Sequence, residues 1–234
     1  GPPTVLEGRF GFFQAYCGDT YDEEALLGGL GERWQYGDCF VKPYPTNVFT
    51  HTGIDAAIAL RARGITPADI ESVEIGVPGP VMRTISQPRE AKIRPESGYH
   101  AQFSGPFTFA LALRGGSGLG VYLDDFTNEA VADPMNQAVA EKVTHVADPR
   151  CEEIYPMQFA SIVRVRTTSG DEIVEEVLAN RGTATRPLSD AEIETKFRLN
   201  ARVLGDQADV LAQRIANVAD LADANELLAG IVTA

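Results

Sequence analysis

The 234-residue chain contains only three cysteines, Cys17, Cys39 and Cys151. They are odd in number and far apart, which suggests neither a disulfide framework nor a zinc site. No run of about 18 apolar residues occurs, so no membrane-crossing helix is expected. No Asn-x-Ser/Thr glycosylation acceptor is present either. The opening residues, GPPTVLEGRFGFF, lack the charged-then-apolar order of a signal peptide, and a cytoplasmic, reducing setting is the expectation. Basic residues are scarce. Lys and Arg total 20 against 33 Asp and Glu, a formal charge of −13. That balance argues against nucleic acid as a partner, because phosphate binding wants a basic face. A small anion is still accessible to such a chain where its few cations gather locally. The single tryptophan, Trp34, reads as a packing anchor and not as a ligand platform.

What is present is ordinary for a globular protein: 44% hydrophobic and 23% charged residues. A chain of this length can bury roughly 70% of its unfolded surface. The first forty residues resemble the tail of something helical, with an apolar stripe over Glu23–Leu30 broken by Gly28 and Gly29. The segment KPYPTNVFTH, residues 42–51, follows, and its X-Pro steps disfavour helix up to Thr46. Thr50 is placed to cap a helix over HTGIDAAIALRARG, with Ile54, Ile58 and Ala62 on one face and Gly64 closing it. ESVEIGV then alternates like a strand, with Val73, Ile75 and Val77 on one side.

Between Arg83 and Pro95 the charge changes sign. Arg83, Arg89, Lys92 and Arg94 stand against Glu90 alone, either as a solvated loop with incidental charges or as an anion-binding cluster. FSGPFTFALALRGG reads as a buried helix, and a further helix is expected from about Asn136 to Val146. GGSGLG, at the end of FSGPFTFALALRGG, lacks the preceding strand and the acidic residue of a dinucleotide loop. ASIVRVRTT and EIVEEVL, joined by Ser169-Gly170-Asp171, form the clearest hairpin signal, with Arg164 and Arg166 on a solvated face. Ser189-Asp190-Ala191-Glu192 is a capping box ahead of an Ile193, Phe197, Ala201, Leu204 stripe. Two more amphipathic segments end the sequence. The order is helical, mixed α/β, helical, which gives either one α+β domain with long termini or an α/β unit inserted into a helical one.

Six stretches, in order, resemble the MmgE/PrpD family, which includes 2-methylcitrate dehydratase, cis-aconitate decarboxylase and iminodisuccinate epimerase. They are PPTVLEGRFGFF, LGERW, KPYPTNVFTHTGIDAAIAL, FSGPFTFALAL, YPMQFASIVRVRTTSGDEIVEEV and RGTATRPLSDAEIETKF. The resemblance is to the second half of such proteins. It implies an α+β fold: a two-layer α/β lid-type domain over residues 41–183, flanked by a helical remnant (1–40) and by C-terminal helices (184–234). Both flanks would belong to an all-helical domain lying outside this chain. Helices of that kind would expose apolar stripes such as Phe197, Leu204, Val210 and Leu211, to be covered by a helical half in a separate chain or by self-association.

The resemblance also implies an activity: dehydration, decarboxylation or epimerisation of a small di- or tricarboxylic acid, in a cleft between the two domains and with no metal or organic cofactor. Such chemistry needs cations for the carboxylates and a group to move a proton beside one. Lys42 matches the family's cleft lysine, for carboxylate binding or charge stabilisation. His51 matches a histidine opening the following helix; there it is either a neutral base or hydrogen-bond donor, or a capping or packed residue. Asn47 stands where the cis-aconitate decarboxylase branch has a histidine, and Phe107 where that branch has a tyrosine. That branch's full residue set is therefore not reproduced. Ser104, Arg83 and Arg89 complete the expected anion site. The competing expectation is a non-catalytic lid-type subunit or interaction module.

Overall fold

Two units of internal contact make up the chain, Gly1–Cys39 and Phe40–Ala234. The computed structural model describes residues 1–18 and 20–232. In the first unit α1 (Phe12–Cys17) and α2 (Glu23–Leu27) precede a 3-10 turn at Gln35–Asp38. Asp22 caps α2 by accepting from the Ala25 amide at 3.0 Å, beside Glu23 and Glu24 in its first turn. Stacked pairs, Phe12 with Tyr16 and Phe13 with Tyr21, supply the local packing. Trp34 is not the anchor its size suggests, for it is 77% exposed. A segment this short builds almost no core of its own, and Gly11 is the only buried residue among those described in it.

The second unit is α+β. Its elements run α3 (His51–Ala62), β1 (Ile70–Val77), α4 (Gly79–Ile85), α5 (Arg89–Ile93), α6 (Gly98–Ala101), α7 (Gly105–Arg114), α8 (Asn128–Ala132) and α9 (Pro134–Glu141). Then come β2 (Val143–Ala147), α10 (Pro149–Ile154), β3 (Ser161–Thr167), β4 (Glu172–Val177), α11 (Asp190–Asn200) and α12 (Gln207–Ala216). The sheet order is β2-β1-β3-β4. The β3–β4 hairpin and its antiparallel pairing with β1 follow the alternation in the sequence, with Ile75 opposite Val163 and Val73 opposite Val165. Those four side chains face the core, while Arg164 and Arg166 lie on the outer face with Asp148, Glu74 and Glu71.

One expectation changes here. The helix that starts near Asn136 stops at Glu141, and Val143–Ala147 forms β2, parallel to β1. Val143 and His145 point inward and Thr144 outward, the period of a strand in a β-branched stretch too short to advertise itself. The route from β1 to β2 through α4–α9 is the crossover that parallel pairing demands. On the sheet's inner face α3 and α7 pack together, and α7 is buried from Gly105 to Leu113. The basic stretch after Arg83 is not a loop. It forms the end of α4 and all of α5.

Both arms of the predicted capping box are present at α11. Its amphipathic stripe is only partly open. Val210 is 45% exposed, Phe197 and Leu204 are half-buried, and Leu211, expected at the surface, is buried where α12 packs on α11. Among the described residues no helix is long and apolar enough to cross a membrane.

Candidate functional site

KPYPTN leads to α3 through a run of bends, because its prolines exclude helix there. The helix is not capped by Thr50. Instead Asn47 caps a preceding 3-10 turn, its Oδ1 accepting from the Phe49 amide at 3.0 Å, and Thr50 donates back to the Asn47 carbonyl at 2.8 Å. Asn47 is thereby committed to the backbone, and its own amide N–H donates to the Gln102 carbonyl at 2.9 Å.

Beneath this segment lies a buried polar network. The Tyr44 hydroxyl, fully buried, donates to Asp55 at 2.5 Å and accepts from Arg181 at 2.8 Å. Arg186 donates to the other Asp55 oxygen at 2.5 Å, and Arg181 also pairs with Glu192 at the start of α11. Burial, followed by the Asp55 charge, pushes the Tyr44 phenol far above its ordinary pKa, so it remains a donor. The network ties three segments together: the Tyr44 loop, α3 through Asp55, and α11 through Glu192. Gly182 completes the tie. Its amide and carbonyl bond Arg186 and Val41, at 2.7 and 2.9 Å, and a Cβ at this position (φ 93°) would lie 1.9 Å from the Val41 carbonyl oxygen.

These ties set the electrostatics around His51. Its ring is fully buried, edge-on to Tyr44 at 5.3 Å between centroids and tilted against Phe40 at 5.8 Å. Nε2 faces the Thr46 carbonyl at 3.4 Å, which fixes the ring proton on Nε2, and Nδ1 has no partner. Burial is the main cause that lowers its pKa to about 3; the Thr46 carbonyl opposes it, and the charges of Lys42 and Lys196 add to it. His51 is thus neutral at pH 7, as expected, although desolvation is the main cause. Lys196, half-buried on α11, is itself lowered, first by burial and then by Lys42. Two ammonium groups and a neutral imidazole therefore share one neighbourhood, Lys42 exposed at its rim. A carboxylate entering there would relieve the repulsion between the lysines, so the arrangement favours an anion over a cation.

Lys42 lies near enough to His51 to lower its pKa, and so does Lys196, a residue that was not among those expected. The other expected site residues are engaged elsewhere. Ser104 is buried as the cap of α7, accepting from the Phe107 amide at 3.0 Å and donating to the Lys92 carbonyl at 2.5 Å. Phe107 is fully buried in the core. Arg83 lies exposed on the last turn of α4. Arg89 donates to the Glu141 carbonyl at 2.7 Å, near β2. Among the described residues no group of three or more His, Cys, Asp or Glu side chains converges as a metal site would need.

Comparison with family profiles gives a match to the MmgE/PrpD C-terminal domain over residues 44–221, more than half of the chain. His51, Asp55 and Lys196 fall inside that span, and Lys42 lies two positions before it. No curated protein matches the chain.

Proposed function

The chain belongs to the MmgE/PrpD family, and from that premise we propose that it forms the lid-type half of a lyase or isomerase acting on a small di- or tricarboxylic acid. The observation that carries this reading is the convergence of Lys42 and Lys196 on neutral His51. Two cations held close enough to repel each other fit a ligand with two or more carboxylates better than a monoanion. The lysines hold the carboxylates and offset the charge that develops when a proton leaves the carbon beside one of them. His51, neutral and buried beneath them, adds no charge of its own, so the two lysines carry the charge of the set. A helical half, in a separate chain or a second copy, supplies the remaining groups across the cleft, and the reaction uses no cofactor.

A second reading is favoured by one observation. His51 is fully buried, enclosed by Tyr44, Phe40 and the Thr46 carbonyl. A lid-type subunit that binds polycarboxylates without turning them over would look the same. Calorimetric titration with citrate tests the shared part: binding is expected, weakened at least about tenfold by Lys196→Met, which deletes a charge-assisted contact. Absence of citrate binding, with or without a helical half added, rejects both readings. Deuterium exchange into citrate-like acids in D2O, followed by NMR, separates them: exchange that disappears in Lys196→Met supports catalysis, and binding without exchange supports the subunit.

A further inference from the structure

A second polar cavity, with one cation at it, lies away from Lys42, beside the edge strand β2. There a cavity of about 180 Å³ is lined by Ser86, Gln87, Arg89, Pro106, Thr144 and His145, among others. That volume is below the roughly 300 Å³ at which pockets begin to hold drug-sized ligands, so its occupant is small.

Three observations define the chemistry. His145 is only 8% exposed, and its Nδ1 is enclosed with no hydrogen-bond partner. Orphan N–H groups are rarer than orphan acceptors, which places the ring proton on Nε2. That nitrogen lies against the first turn of the ten-residue helix α7, where a Cβ on Gly105 would come within 2.4 Å of it. The N-terminal end of α7 adds its own positive potential at this spot. Finally, Arg89 gives one N–H to the Glu141 backbone carbonyl, while the Glu141 carboxylate is engaged by Arg94. Its guanidinium is thus held at the cavity without a carboxylate across from it, and four of its five N–H donors are uncommitted.

We propose that this cavity binds a compact oxyanion, a small carboxylate or phosphate, between the Arg89 guanidinium and the His145 Nε2–H. Burial lowers the His145 pKa to about 4, so the ring contributes a neutral donor near pH 7 and Arg89 supplies the charge. The site stands independently of the Lys42 cluster and of the reaction assigned to it.

The test uses the full chain, labelled with 15N, titrated separately with inorganic phosphate and with acetate in a buffer free of oxyanions. Saturable shifts of the His145 ring nitrogen and the Thr144 amide are expected. Saturation by one ion alone identifies which chemistry the cavity takes. Arg89→Ala, at an exposed position where the fold tolerates truncation, is expected to weaken that binding at least about tenfold. No saturation by either ion, shifts confined to residues around Lys196, or shifts unchanged in Arg89→Ala would each overturn the proposal.

Discussion

Lowering the pH from 7 to 5 is expected to destabilise this protein mainly through two buried histidines. His51 and His145 have folded-state pKa values of about 3 and about 4, against 6.5 for the free side chain. In both cases burial is the leading cause, since the interior disfavours the charged ring. The unfolded chain therefore binds protons that the folded chain refuses. Their stabilising contribution is complete above pH 6.5 and falls as pH drops, until it is gone near the folded pKa values. At about 1.4 kcal/mol per pH unit, each histidine loses about 2 kcal/mol by pH 5, or about 4 kcal/mol for both. For a chain of this size that is a fall of roughly 8–16 °C in melting temperature. Carboxylates lowered by arginine partners, such as Asp148 beside Arg164, act in a more acidic window and leave the pH 5–6.5 range to the histidines. Urea unfolding at pH 7 and pH 5 measures the difference, and the same pair of experiments on His51→Gln should show about half of it. A wild-type stability flat over this range, or a variant with the full wild-type slope, would show that the buried histidines do not set it.

Tyr44→Phe removes the hydroxyl that bridges Asp55 and Arg181, and a loss of about 1.5–3 kcal/mol is expected in urea unfolding. A loss under about 0.5 kcal/mol would mean that the bridge contributes nothing net. Gly182→Ala places a Cβ against the Val41 carbonyl at positive φ and should cost about 1–3 kcal/mol, with amide shifts centred on residues 40–42. Ser189→Ala, at the capping box, should cost about 0.5–2 kcal/mol and reduce citrate affinity by loosening the helix that carries Lys196. Unchanged affinity in that variant would show that Lys196 is positioned without the cap.

The sequence made some of this legible and some not, for physical reasons. The β3–β4 hairpin could be read because two alternating runs flank a turn of small polar residues and glycine, and α7 because an apolar run ends on glycine. β2 could not, since five residues following a helical pattern carry too few repeats to reveal a change of period. Thr50 looked like the helix cap because the intervening 3-10 turn, which shifts capping to Asn47, leaves no mark in the pattern. Two of the three candidate-site residues were visible: Lys42 and His51 share one short motif. Lys196 lies 145 positions beyond His51 in the chain, and its approach depends on Arg181 and Arg186 reaching Tyr44 and Asp55. The available hint was local. A lone Asp in the apolar run IDAAIAL needs a cation, and the two arginines of RGTATRP supply it just before the helix that carries Lys196.

If Lys42 and Lys196 form a polycarboxylate site over His51, the protonation of Lys196 must respond to ligand. In the free protein its ammonium is held below the ordinary lysine pKa by burial and by Lys42. NMR titration of 13C-dimethylated lysines, with Lys196 assigned through Lys196→Arg, should give that lowered value without ligand and a rise towards the ordinary value in saturating citrate. A Lys196 pKa that citrate leaves unmoved would contradict the claim.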